Sequence, residues 1–298
     1  MAREGKQGRY YGFAGITVLL WSTAAPSVKV LTEGLDSLCV LGWSSLFAAG
    51  FLLLLLAARG RAGVLRRYGP RDWGRLALLG FTGMFLYSAL YYFGIGRLSA
   101  QEACILNYLR PAMIVLFSCL LLGEPLTGRK AAALGISFAG VLLAAAWELR
   151  EGGLSGDVAG AAACVLAAAC YGLFSVLNKK LAPDQNAAMA VYWGVTALCA
   201  LAAAGLRGGL ALPSPLQGAG LVWLGIAVHG VPYFLWALAL NGVGNTARVA
   251  NLAYLTPVLT VLLSAAALGE SLPPVYLAAL ACVLAGILVQ NGRMRKKG

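Results

Sequence analysis

The stretch at 106–126, LNYLRPAMIVLFSCLLLGEPL, recurs at 252–272 as LAYLTPVLTVLLSAAALGESL. Aligned at an offset of 146 residues, the two agree at 11 of 21 positions; a composition this rich in Leu and Ala gives about two or three matches by chance. The chain therefore reads as two copies of one unit. Each copy is an apolar run with a proline near its middle, Pro111 or Pro257. A proline inside a helix removes an N–H and leaves the carbonyl four residues back, here that of Asn107 or Ala253, without its usual donor. In hydrocarbon such a group has to face protein or a wet cavity. The repeat thus predicts a central pathway near the bilayer midplane, with both carbonyls presented to it unpaired.

That these runs lie in hydrocarbon follows from the rest of the chain. Hydrophobic residues make up 60% of the 298 and charged residues 11%, with a mean hydropathy of +0.78, against about a quarter charged in soluble domains. Apolar runs fall at 12–31, 38–58, 75–96, 100–122, 130–147, 157–178, 186–206, 217–240, 246–268 and 275–291, each near the ~20 residues that a bilayer core requires. The basic start, MAREGKQGR, imitates a signal peptide, but the run behind it is long enough to span and reads as an uncleaved first helix. The expected fold is an all-α integral membrane protein of ten transmembrane helices in a single membrane domain. Repeat one covers about 10–147 and repeat two about 157–291. Five spans per copy is an odd number, so the second copy enters from the opposite side and the repeats are inverted. A weaker echo pairs the first spans of each copy, WSTAAPSVK at 21–29 with YGLFSVLNK at 171–179. Inverted repeats are a common construction of secondary transporters, with the site between the halves.

The formal charge of +12 does not point to nucleic acid, because the basic residues sit in short loops between apolar runs instead of on one soluble face. With both termini inside, 18 of the 23 Lys and Arg residues fall on inner segments. Only Lys29, Arg97, Arg150 and Arg207 fall outside, and Arg110 remains within the bilayer. The positive-inside rule then sets both termini in the cytoplasm. The seven cysteines show no CxxC or Cys/His spacing and read as small buried hydrophobes. No HExxH, nucleophile elbow or Walker loop occurs, and the single histidine cannot serve both a metal and a base. The expectation is a protein with no enzymatic activity, no cofactor and no metal, working as a monomer or weak homodimer on a small molecule in the lipid bilayer.

Candidate site residues are the polar and aromatic side chains at membrane depth, together with four prolines, Pro26, Pro111, Pro232 and Pro257, that interrupt spans. They include Trp21, Ser22, Tyr87, Tyr91, Asn107, Tyr108, Trp193, His229, Tyr233, Trp236, Asn251 and Tyr254. An amide in hydrocarbon needs partners, found either across helices or in a ligand. His229 has no carboxylate in sequence reach, which favours a packed ring or a substrate contact over a proton carrier. Acidic residues, Glu102, Glu124, Glu148, Asp157 and Glu270, fall only at span ends. Glu124 and Glu270, which close the repeat, suit the positive N-terminal end of the helix that follows each. Arg110 is the charge at the bilayer centre; insertion there costs about 2.5 to 3.5 kcal/mol, so it should face the bundle. It either clamps freed carbonyls or takes a substrate carboxylate, and its counterpart in the second copy is Thr256.

Ten spans in five-plus-five inverted repeats, a first span reading LLWSTAAPSVK, and repeat ends reading PxxxxLxSxxLLGEPL and PVLTVLLSAAALGESL resemble the drug/metabolite transporter superfamily, in particular its EamA-type exporters. NYLRP in span 4, SVLNKKLA at the end of span 6 and YLTPVL in span 9 are most similar to the aromatic amino acid exporter branch. The resemblance implies a cell inner-membrane carrier that moves amino acids or similar small amphipathic metabolites outward, through a cavity lined by spans 1, 3, 4, 6, 8 and 9. Its cavity contributors fall on Trp21, Asn107, Tyr108, Pro111, Tyr254 and Pro257. Where that branch carries an apolar or aromatic residue before the span 4 proline, this chain has Arg110. Alternatives are a multidrug or quaternary-amine exporter, disfavoured because no acid lies mid-span, and a non-transporting membrane scaffold.

Overall fold

The computed structural model of the chain describes residues 2–151, 157–242, 249, 252–253 and 255–291. Polar residues between the apolar runs set where helices begin. Asp36, Ser99, Asp157, Asp184 and Ser214 each accept a hydrogen bond from a backbone N–H two or three residues on, satisfying donors that a helix start leaves orphaned. Glycines end helices: Gly60, Gly123, Gly208 and Gly269 have φ of 66° to 71°, a left-handed turn that suits glycine. Gly123 and Gly269 are the glycines of the duplicated LGE, so that motif is one helix stop used twice.

The first span joins α1 (Ala2–Ser22) to α2 (Ala24–Thr32), and the second is α3 (Ser37–Ala58). In the third, α4 (Pro70–Leu79) runs through a π-helical segment (Gly80–Leu86) into α5 (Tyr87–Arg97). The fourth breaks between α6 (Ala100–Asn107) and α7 (Arg110–Leu122), and α8 (Gly128–Glu151) closes the first repeat. The second repeat follows with α9 (Val158–Leu181) and α10 (Gln185–Leu206). Its third member, the eighth span, joins α11 (Pro215–Val222), a π-helical segment (Trp223–Gly230) and α12 (Val231–Gly242). Last come α13 (Leu255–Leu268) and α14 (Pro274–Asn291). Among the described residues seven helices are long and apolar enough to cross a membrane, and Leu255–Leu268 and Pro274–Val289 are shorter apolar helices. The chain is an all-α, multi-pass membrane protein of ten spans in two inverted five-span repeats.

Packing carries the inversion. The second and seventh spans lie along each other, as do the fifth and tenth. The third packs on the seventh as the eighth packs on the second. Both of these last contacts depend on glycine: a Cβ on Gly80 would sit 3.1 Å from Tyr192 Cα, and one on Gly225 would sit 2.3 Å from the Ser44 carbonyl oxygen. Ion pairs join Arg61 to Asp184 (2.6 Å), Lys130 and Lys179 to Glu124 (3.0 and 3.7 Å), and Arg97 to Asp157. Each connects segments that an inverted ten-span order brings to the same face.

Two expectations are corrected. Pro232 follows directly on the π-helical segment of the eighth span, and the other three prolines fall in the first turn of a helical piece: Pro26 in α2, Pro111 in α7 and Pro257 in α13. There the missing N–H costs nothing, because a helix start leaves it unused. The carbonyls of Asn107 and Ala253 are consequently not left open. The chain turns before each proline, so that Asn107 O accepts from Arg110 Nε at 3.2 Å and Ala253 O from the Thr256 N–H at 3.1 Å. Glu270 does not serve the helix that follows it. It accepts from the N–H groups of Ala100 (2.8 Å) and Gln101 (3.4 Å), capping α6 in the other repeat. Lys130, which donates to Glu124 at 3.0 Å, holds that carboxyl below the usual carboxylate range.

Candidate functional site

The breaks surround one cavity of about 410 Å³. Six spans reach it as the family resemblance implied, the first, third, fourth, sixth, eighth and ninth, joined by Trp193 of α10 and Ile287 of α14. Its cationic wall is built where the fourth span breaks. Arg110 opens α7. Its Nε bonds to Asn107 O and its Nη1 to the Tyr87 hydroxyl, both at 3.2 Å. The guanidinium carbon stands 5.0 Å from the ring centre of Tyr171, 5.3 Å from Tyr108 and 5.8 Å from Tyr87, within the range of attraction between a cation and an aromatic face. Among the described residues no carboxylate pairs with it and no acidic side chain lines the cavity.

Asn107 ends α6 and is 2% exposed. Its Nδ2 donates to the same Tyr87 hydroxyl at 3.2 Å, while Oδ1 has no partner among the described residues. Buried polar atoms are rarely left so. The α6–α7 break also sets the negative end of one helix beside the positive end of the next. Thr256, near the start of α13, supplies a hydroxyl to the same cavity.

The remaining walls are aromatic. Trp21 meets Tyr233 edge-on at 6.1 Å and Trp236 at 5.4 Å. Tyr87 stacks on Tyr91 at 6.0 Å and lies 5.1 Å from Tyr171. His229 stacks on Trp193 with ring centres 4.3 Å apart, and its Nε2 is 2.9 Å from the Tyr92 hydroxyl; no carboxylate bonds to it among the described residues.

Of the side chains singled out from the sequence, Trp21, Tyr87, Tyr91, Asn107, Tyr108, Arg110, Trp193, His229, Tyr233 and Trp236 come together on this cavity, with Pro111, whereas Ser22 bonds to the Val18 and Thr256 carbonyls away from its lining. Pro26 and Pro257 start helical pieces beside it and Pro232 follows the π-helical segment, next to the lining residues Ala25, Thr256 and Tyr233 respectively. Asn251 and Tyr254 lie outside the described residues. Tyr92 and Tyr171 line the cavity without having been singled out. The repeat carries the signal for Tyr171, which aligns with Trp21 at an offset of 150; nothing in the sequence marks Tyr92. No group of three or more His, Cys, Asp or Glu side chains converges on a metal position among the described residues. Among the described residues the cavity offers one guanidinium, one amide, an imidazole, hydroxyls and aromatic faces, a set suited to holding a small amphipathic molecule.

The chain matches the EamA-like transporter family over residues 9–146 and again over 158–292. A probable terminal-alkyne amino-acid exporter of Streptantibioticus cattleyicolor is 29% identical over 282 residues, covering 93% of this chain and 92% of the relative. The aromatic amino acid exporter YddG of Ancylobacter novellus is 30% identical over 210 residues, 69% of this chain and 71% of its own. A solved crystal structure superposes with a TM-score of 0.70 at 24% identity, over 97% of this chain and 99% of that one, a likeness of fold.

Proposed function

The chain belongs to the EamA-like transporter family, and from that premise we propose that it exports amino acids with apolar or aromatic side chains, gripping the substrate carboxylate with Arg110. A transporter of this family performs no covalent chemistry on its cargo. The observation that carries the proposal is a guanidinium at mid-span that lines the cavity and that no acid among the described residues neutralises. Nε and one Nη1 hydrogen are engaged by Asn107 O and Tyr87. The end formed by Nη1 and Nη2 is left for an end-on carboxylate, each charge-assisted bond contributing about 1.5 to 3 kcal/mol. The Trp21–Tyr233–Trp236 wall suits an apolar or aromatic side chain, and the two relatives named as amino-acid exporters support the substrate class. The same reading runs repeat one over about 10–147 and repeat two over about 157–291. It puts the chain in the cell inner membrane with both termini cytoplasmic, supported by the excess of Lys and Arg on one face.

A second reading has its own support: the two bonds that Arg110 makes also describe a structural clamp on the α6–α7 break. Arg110→Thr, which installs the residue that the other repeat carries, separates the two. In proteoliposomes the variant is expected to insert and to lose L-phenylalanine transport by about tenfold or more, while phenethylamine, which has no carboxylate, moves no more slowly than in wild type. Unchanged phenylalanine flux overturns the carboxylate role, and a variant that fails to fold establishes the clamp.

A further inference from the structure

We infer that the cavity selects the zwitterion: Asn107 Oδ1 accepts the substrate ammonium beside the carboxylate held by Arg110, so the site takes α-amino acids and rejects the matching carboxylic acids that lack the amino group. This rests on the carboxylate reading of Arg110.

Three observations support it. Oδ1 of Asn107 is a buried acceptor with no partner among the described residues, on a side chain only 2% exposed and lining the cavity. An acceptor left bare in such a place costs free energy unless a ligand supplies the donor. Its position relative to Arg110 is fixed by the shared Tyr87 hydroxyl, which accepts from Asn107 Nδ2 and from Arg110 Nη1, each at 3.2 Å. The bond to Nδ2 leaves Oδ1 free of Tyr87, so the amide that carries the bare oxygen and the guanidinium are joined through one hydroxyl. Finally, the helix break orders the fields in the same sense. Asn107 is the last residue of α6, where carbonyls gather negative potential, and Arg110 is the first of α7, where N–H groups gather positive potential. A molecule carrying one charge of each sign on neighbouring atoms meets both ends, whereas a simple anion meets the second and is opposed by the first.

An ammonium in such a site is held by neutral oxygens alone, since no acid lines the cavity among the described residues. Neutral acceptors hold a cation more weakly than a carboxylate does. A free amine therefore gains too little to displace water, and Arg110 repels it. The zwitterion alone neutralises Arg110 and supplies a donor to Asn107 Oδ1.

The test is competition on the purified, reconstituted full-length chain. The probes are L-phenylalanine and L-leucine, each compared with its deaminated acid, 3-phenylpropionate or 4-methylpentanoate, and with its decarboxylated amine. Wild type is expected to bind at least one amino acid about tenfold or more tightly than either truncated analogue. Asn107→Leu, close in shape, is expected to bring the amino acid down to the level of its deaminated acid and to leave the acid unchanged. Asn107→Asp is expected to admit the amine, because a carboxylate then faces the ammonium and neutralises Arg110. Equal binding of the amino acid and the deaminated acid by wild type overturns the inference and leaves the Arg110 reading standing. Equal binding of the amino acid and the amine overturns the Arg110 reading, and with it this one, as does binding of neither amino acid. Because the first comparison uses only wild type, a folding defect in either variant does not protect the proposal.

Discussion

Gly225 and Gly50 look alike in the sequence, each a glycine inside an apolar run, yet they occupy different situations. A Cβ at Gly225 would stand 2.3 Å from the Ser44 carbonyl oxygen and 2.7 Å from Phe47 Cβ, whereas one at Gly50 would meet nothing within 4 Å. The first obstacle includes backbone, which cannot step aside as a flexible side chain does. Gly225→Ala is expected to destabilise the fold by about 1 to 3 kcal/mol through forced separation of the second and eighth spans. Gly50→Ala should leave stability unchanged or raise it by about 0.5 to 1 kcal/mol, the usual gain of Ala over Gly inside a helix. Unfolding temperatures of both variants in the same detergent measure this, and equal values would remove close packing as the reason for Gly225. Nothing near position 225 marks it, since the constraint comes from a residue 181 positions earlier. Asn107 and Arg110, by contrast, were legible: polar groups at membrane depth need a reason wherever the chain goes. Tyr92 was not legible, because its role is set by His229 on another span.

At the scale of elements the duplicated proline located the breaks but did not reveal their form. A proline inside an apolar run reads as an interruption with a bare carbonyl; the protein instead starts a new half-helix there, and the carbonyl is covered from three residues on, by the Arg110 side chain at Asn107 and by the Thr256 N–H at Ala253. The difference lies in what happens before the proline, at Tyr108 and Leu109, where no residue type forces the turn. The local bond order makes a prediction. With Pro111→Ala an N–H returns at position 111, able to donate to Asn107 O as an ordinary i to i−4 helical bond. It would compete there with Arg110 Nε, which now holds that carbonyl at 3.2 Å. The guanidinium would then lose one of its two anchors and some of its fixed orientation. We expect Pro111→Ala to bind L-phenylalanine about three- to tenfold more weakly, at unchanged or higher thermal stability, as read by titration on the purified protein. Pro257→Ala has a smaller effect, because Ala253 O already takes a backbone N–H, that of Thr256. Equal losses from the two changes would show that the prolines act through helix geometry and not through Arg110.

The whole molecule is tied across its two repeats at the face opposite the termini. There Lys29 donates to the carbonyls of Ile95 (3.0 Å) and Leu98 (2.6 Å), holding the first span to the end of the third. Glu270, from the second repeat, caps the first turn of α6 in the first, and Gln101 Nε2 donates to Ser271 O at 3.0 Å. A carrier that alternates access by moving one repeat against the other has to break contacts of this kind in one of its two states. Lys29 acts within repeat one, and of the ties between the repeats Glu270 is the charged member; its bonds to Ala100 and Gln101 gain from the positive end of α6. Replacing the carboxylate by the neutral amide in Glu270→Gln weakens that cap while keeping its shape, so the population shifts toward the state open on this face. Cys104 reports the shift, being a free cysteine that lines the cavity and is 2% exposed. In a chain with the other six cysteines replaced, a membrane-impermeant thiol reagent added on the face opposite the termini is expected to label Cys104 at least about threefold faster in Glu270→Gln than in its parent, a population change of roughly 0.7 kcal/mol. Equal rates would mean that the cap stays closed throughout the cycle, and that the repeats separate elsewhere.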